Sequence, residues 1–425
     1  MTLSLAPLLV FILCYALFVV LPKWRSAVAC GGGVLLVLTG SLGVREALFE
    51  KISWNVIFLF FGTLVLAELF MQSRMPAVMA ELLVSKTRTM RGALIAVCAL
   101  SGFISMFVEN VAVCLLIAPV ALSLAEKLKI SPVRLLIAIA VSSNLQGTAT
   151  LIGDPPSMIL AGYMKMSFND FFVYRSRPGI FFAVQVGAVA SLAVLAWLFR
   201  AHREETGTIR QETVRSWVPT GLMAALILGL STTSVFDPGF KWLAGTLTLA
   251  LAIGGLAWYR LGPRWSSVRH LIRTLDWDTT FFLMGVFVIV GGLSDSGWLD
   301  QVAAWISGHV GGSILSAFVS IVLVSVVVSA FVDNVPFLLA MIPVAQKVAD
   351  HLGASVPLLM FGMLIGACLG GNITPIGASA NVVTVGMLKK RGYVVSFREF
   401  MAVGIPFTAA AVLAACLFTW WVWGP

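Results

Sequence analysis

Residues 107–153 read FVENVAVCLLIAPVALSLAEKLKISPVRLLIAIAVSSNLQGTATLIG, and residues 331–377 read FVDNVPFLLAMIPVAQKVADHLGASVPLLMFGMLIGACLGGNITPIG. Slid by 224 residues without gaps, the two agree at 17 of 47 columns. Shared apolar composition explains the Val and Leu matches. It does not explain Asn110 falling on Asn334, Pro119 on Pro343, Gly147 on Gly371 or Thr150 on Thr374. Self-similarity at a fixed offset is a statement about architecture. Each copy holds an apolar arm, a polar tip (Glu109-Asn110 or Asp333-Asn334) and a second apolar arm. An apolar run broken by Gly, Thr and Pro then follows.

The surroundings of these two stretches say what solvent the chain meets. Of its 425 residues, 59% are hydrophobic and 11% charged, with a mean hydropathy of +0.98. Soluble domains carry about a quarter charged residues. So much apolar surface has no single water-facing core to hide in, and the solvent must be lipid. Soluble enzymes, disordered chains and nucleic-acid binders are excluded. Spans of ~20 apolar residues are expected at 4–21, 27–43, 54–72, 178–199, 216–233, 241–259, 278–294 and 401–423. The first run lacks a basic leader and a small-residue cleavage site, so it reads as a retained span. Cys14, Cys30, Cys98, Cys114, Cys368 and Cys416 all lie in apolar stretches without metal-ligand or disulfide spacing, and no cofactor or metal is expected.

The polar tips and the broken runs decide the topology. We read 92–126 and 312–350 as re-entrant hairpins, and 133–165 and 356–389 as spans broken in the middle. The polar stretch 200–215 separates two halves, 1–213 and 214–425. Each half then crosses five times, and an odd number inserts the second half upside down. The expectation is an all-α polytopic membrane protein of two inverted-topology repeats, with about ten transmembrane helices and two hairpins. On this path 21 of the 28 Lys and Arg residues fall on one side, which makes that side cytoplasmic and leaves both termini outside a bacterial-type inner membrane.

Backbone freed from helix at membrane depth is tolerated only where protein or a water-filled cavity satisfies it. The breaks place Asn144, Gly147, Thr148 and Thr150 in the first half, and Asn372, Thr374 and Asn381 in the second. The tips add Asn110 and Asn334. Neutral amides and hydroxyls beside open carbonyls suit a small polar solute or an ion. Acids at bilayer depth are functional by default, so Glu109, Asp154 and Asp333 are the expected proton- or ion-coupling groups. Neither tip and neither break contains Lys or Arg, which leads to an expectation that no base opposes these acids. Missing too are a GxxxxGK[ST] loop, a Ser-His arrangement and the paired YD and GxGD signature of intramembrane aspartyl proteases. A non-enzymatic carrier is expected, with a separate ATPase chain left open; a channel is the alternative.

The breaks GTATLIGDPPS (147–157) and GGNITPIGASANVV (370–383), with the Asn-bearing tips, resemble the ArsB/P-protein permease family of the ion transporter superfamily. That resemblance covers nearly the whole chain. It implies a homodimer, a scaffold, a transport part that moves elevator-fashion, and a solute held between tips and breaks. The Ser-Asn-Thr signature of the dicarboxylate carriers of that superfamily is absent, since Ser143-Asn144 is followed by Leu145 and Asn110 by Val111. Acids without a base favour a neutral solute over a dianion. The expectation is therefore proton-coupled efflux of arsenite, antimonite or a similar neutral hydroxide, with sodium/proton antiport as the alternative and a dicarboxylate-type carrier behind it.

Overall fold

The computed structural model describes residues 4–127, 130–201, 213–262, 267–309 and 312–425. Most of the 200–215 stretch, His202 and the basic residues Lys129, Arg203, Arg210 and Arg264 lie outside the described residues. The chain is a helical stack because hydrocarbon offers no hydrogen bonds, so each backbone N–H and C=O must be satisfied within its own segment.

The first half runs α1 (Leu5–Val20), α2 (Arg25–Leu38), α3 (Val44–Glu46), α4 (Trp54–Gln72), α5 (Met75–Ser85), α6 (Met90–Ser105), α7 (Asn110–Lys127), α8 (Val133–Gly147), α9 (Pro155–Met164) and α10 (Ile180–Leu198). The second runs α11 (Val218–Phe236), α12 (Leu243–Leu261), α13 (Val268–Thr274), α14 (Trp277–Asp295), α15 (Trp298–His309), α16 (Ile314–Ser329), α17 (Asn334–Leu352), α18 (Val356–Gly370), α19 (Ser379–Lys390) and α20 (Phe397–Trp423). Among the described residues, six helices are long and apolar enough to cross a membrane on length and composition: α4, α10, α11, α14, α20 and the segment Val356–Ile373.

Two differences from the sequence reading have local causes. The span expected at 27–43 stops at Leu38, because Gly40 adopts a left-handed φ of 72° and the N–H groups of Ser41 and Leu42 turn back to Leu36 O. The chain is also not wholly helical. Val173–Tyr174 pairs antiparallel with Arg177–Pro178 across a two-residue turn. Arg175 and Ser176 there both have positive φ, which the tightest hairpin turns require. Arg177 then donates to Val422 O (2.8 Å) and lies over the Trp423 ring, tying the loop to the end of α20.

Helices form two packed groups. In one, α2 lies on α14 and α4 on α12, with α1 and α11 alongside. Small residues permit the close approach, as is usual in lipid. A side chain at Gly285 would meet the Ala29 and Cys30 backbone, and one at Gly62 would meet the Thr248 backbone. Asn55 of α4 adds a polar tie, donating to Phe240 O (2.9 Å) and accepting from Gly245 N (2.7 Å). In the other group, α6 packs on α8, α16 on α18, α10 on α20, and α18 on α20. We call the first group the frame and the second the inner bundle. The four helix interruptions lie in the inner bundle.

Candidate functional site

The interruptions are stapled to one another by backbone-directed side chains. Thr150 Oγ1 donates to Met106 O, and Thr374 Oγ1 donates to Ala330 O. These two bonds sit 224 residues apart at both donor and acceptor. Each ties the unwound turn of a broken helix to the last turn before a hairpin tip. Glycine is required beside them: a side chain at Gly377 would meet Gly371 O at 2.6 Å and Ala330 O at 2.8 Å, and Gly153 is enclosed in the same way by Gly147 O and Ser105 O. Ser143 completes the first half by donating to Ser105 Oγ (2.9 Å) and to Asn110 O (3.3 Å).

Asparagines join the halves. Asn372 Nδ2 donates to Val141 O (3.2 Å), while Asn381 Nδ2 donates to Gly371 O (2.9 Å) and Thr374 O (3.0 Å). Carbonyls only accept, so both amide groups must face them and both Oδ1 atoms must face inward. They meet Asn144 Nδ2, at 2.8 Å from Asn372 and 3.0 Å from Asn381. Asn144 Oδ1 is left to accept from Asn110 Nδ2 (2.8 Å), and Asn110 Oδ1 accepts from Val111 N (3.0 Å). The donor directions are thus set by the open carbonyls of the breaks. Asn144 is the hub of this closed network, and is 1% exposed.

Beside the network lies a cavity of about 560 Å³ between the inner bundle and the frame. Six helices begin on its wall: α2 at Arg25, α7 at Asn110, α9 at Pro155, α14 at Trp277, α17 at Asn334 and α19 at Ser379. Glu109, Asp154 and Asp333 stand at three of these starts. Asp333 caps α17, accepting from Val335 N (3.1 Å), and Asp154 precedes the two prolines that open α9 and is 6% exposed.

The predicted residues therefore separate. Asn110, Asn334, Glu109, Asp154 and Asp333 line the cavity. Asn144, Thr148, Thr150, Asn372, Thr374 and Asn381 are buried behind it, bonded to one another or to backbone, and Gly147 supplies a close approach rather than a side chain. Among the described residues, no cluster of three or more His, Cys, Asp or Glu has a metal-binding arrangement.

One expectation is overturned. The acids do have a base beside them, because Arg25 and Arg273 line the same cavity. Arg25, at the start of α2, donates from Nη1 to Asp333 (2.6 Å), from Nε to Asp278 (2.7 Å) and from Nη2 to Thr279 Oγ1 (2.8 Å). Its guanidinium also lies 5.2 Å from the centre of the Phe282 ring. Asp276 accepts from Thr279 N (2.9 Å) and Thr279 Oγ1 (2.5 Å), fixing that hydroxyl. Arg25, Arg273, Asp276 and Asp278 all escaped the sequence reading. Their sequence neighbours mark them as helix-end charges and caps, and Arg25 reaches partners 253 and 308 residues away.

A helical stack in lipid, interrupted where a polar cavity opens, is the architecture of a membrane transporter. The comparisons agree: a family model described as Citrate transporter matches residues 15–261 and 244–425, and the chain belongs to that family. It is 28% identical to an uncharacterized transporter of Mycobacterium bovis over 98% of both chains. A second, from Synechocystis, is also 28% identical, over 92% of this chain and 91% of its own. The human P protein is 26% identical over 92% of this chain and 57% of its own length, so the P-protein part of the resemblance has a match while the arsenite-permease part has none among these relatives. In fold, the chain is similar to the Alcanivorax borkumensis YdaH transporter, with a TM-score of 0.64, 15% identity, and coverage of 99% and 100% of the two chains. Family and relatives are transporters rather than enzymes.

Proposed function

We propose that the chain is a cation-coupled secondary transporter whose solute is a small polycarboxylate carried together with its cations. The charge balance of the cavity carries this reading. Six carboxylates line it (Glu68, Glu109, Asp154, Asp276, Asp278 and Asp333) against two guanidiniums, Arg25 and Arg273. Six helix N-termini add roughly +3 in effective charge, at about half a charge each. With every acid ionised, the balance stays negative by about one charge. A bare anion at 4 Å from one unbalanced carboxylate is opposed by about 4 kcal/mol at an effective dielectric of ~20. The same anion arriving with protons or metal cations is not, because the acids take the cations and the helix N-termini face the carboxylates. The family description points to the same solute class.

A neutral hydroxide such as arsenous acid is the second reading. It is favoured by the uncharged groups at the rim (Asn110, Asn334 and Ser379), which donate and accept without a counter-charge. In either case the acids are the coupling groups. We read the inner bundle as the moving part and the frame as the scaffold of an inverted-repeat elevator. Support comes from the pairing of helices: α4 on α12 and α2 on α14 exchange with one another under the 224-residue offset. The two-copy assembly, the orientation of the termini and the two repeat halves belong to this proposal.

The test is counterflow in proteoliposomes of the purified protein, with labelled citrate and labelled arsenite in separate arms, under imposed proton or sodium gradients and with or without a divalent cation. Citrate movement that requires a cation supports the first reading, and arsenite movement driven by protons the second. Ion exchange with neither solute means an antiporter. Solute flux indifferent to every cation refutes the coupling itself.

A further inference from the structure

We propose that Arg25 is a positioning residue, a latch that holds the second hairpin tip against the frame until Asp333 is given to another cation. Arg25 starts a frame helix and Asp333 caps α17 of the second hairpin, so their 2.6 Å ion pair crosses from one helix group to the other. A cation at a helix N-terminus is disfavoured by the helix dipole. Arg25 stays there because two carboxylates and a hydroxyl hold it, and its side chain is 21% exposed.

The geometry makes this contact releasable. When Asp333 leaves, Asp278, Thr279 and the Phe282 ring still hold the guanidinium in place. Only one of three polar contacts is broken, so the bound and released arrangements differ little on the frame side. Tyr15 Oη donates to Pro336 O (2.6 Å) and gives the same tip a second, uncharged tie to the frame.

The latch is also one-sided. The repeat pairs Asp333 with Glu109, yet among the described residues Glu109 has no ion pair. The position 224 residues after Arg25 is Leu249, so that offset places no basic residue opposite the first tip. One tip is tethered by charge and the other is not. Glu109, Asp154, Asp276 and Arg273 face the same cavity, so an arriving cation meets several acids of which only Asp333 and Asp278 are already paired to Arg25.

This inference rests on the moving-bundle reading above, and the experiment separates the two. Ser379 is exposed on the cavity wall. A Ser379→Cys reporter is placed in the full chain with Cys30 and Cys416, the two partly exposed cysteines, changed to Ser. Its labelling by a small impermeant thiol reagent is timed in vesicles of each orientation. With the latch intact the cavity is held open. Arg25→Gln and Asp333→Asn should each slow labelling by roughly tenfold, and the double variant should be no slower than either, as expected for two groups acting as one pair. Arg25→Lys, which keeps a cation beside both Asp333 and Asp278, should recover most of the wild-type rate. Additive slowing, or Arg25→Gln within about twofold of wild type, overturns the latch. Slowing that Arg25→Lys does not recover, with a lowered melting temperature in every variant, makes the contact merely structural and also overturns it. If reporter labelling in the unaltered background ignores imposed gradients and solutes, it is the moving-bundle reading that has failed.

Discussion

Replacing Asn144 by Ala separates a residue that builds the site from one that contacts the solute. Asn144 makes three side-chain hydrogen bonds, to Asn110, Asn372 and Asn381, in a place with 1% exposure. Side-chain hydrogen bonds within membrane proteins average ~0.6 kcal/mol, which sets a floor of about 2 kcal/mol for the three. Three partners left facing each other without water cost about 1–3 kcal/mol apiece, which sets the ceiling near 6 kcal/mol after partial rearrangement. We expect a loss of about 3 kcal/mol in equilibrium unfolding of the detergent-solubilised protein. Asn144→Asp should cost more than its similar shape suggests, because it turns the amide donor into an acceptor facing the Oδ1 atoms of Asn372 and Asn381. Asn334→Ala, on the cavity wall, should leave stability within about 0.5 kcal/mol while reducing transport, as surface substitutions do. The reasoning is refuted if Asn144→Ala matches wild type within about 0.5 kcal/mol, or if Asn334→Ala is the more destabilising of the two.

Three further outcomes are expected. Thr150→Val and Thr374→Val each remove a bond from a break to a hairpin carbonyl, and each should cost about 1 kcal/mol in the same unfolding assay, with similar effects at both positions. Asp154→Asn should abolish the cation dependence of solute flux in proteoliposomes without lowering stability, since an isolated carboxylate at bilayer depth is a cost to the fold; a variant still driven by the gradient excludes Asp154 as a coupling group. In the turn after α11, burial alone would push the Asp237 carboxyl up, but backbone N–H groups of Lys241, Trp242 and Leu243 donate to it and hold it below the ordinary range. A lowered folded-state value gives stability that is complete above the unfolded value of about 4 and lost as pH falls through the folded one. Asp237→Ala should therefore cost about 1 kcal/mol at pH 7, as loss of a helix cap does, and the difference from wild type should shrink in melts carried out below pH 4.

Composition and run length alone determined that this chain is a helical bundle in lipid, because backbone in hydrocarbon has no partner outside its own helix. The places where helices stop were equally legible. At 105–110, 147–155, 329–334 and 370–379, Gly, Pro and paired polar residues give the backbone reasons to leave the helix, and it leaves there. The same signals marked Asn110, Glu109, Asp154, Asp333 and Asn334, which do line the cavity. Local pattern had no means of telling these from Asn144, Asn372, Asn381, Thr150 and Thr374. All are polar residues at a break, and only packing decides which face water and which close on open carbonyls. Arg25 was less legible still. In sequence it is one more basic residue at the end of an apolar run, and its ties to Asp278 and Asp333 cross 253 and 308 residues. Contact at such separation leaves no periodicity or spacing behind. Which charges face one another across the cavity was therefore decided only when the helices came together.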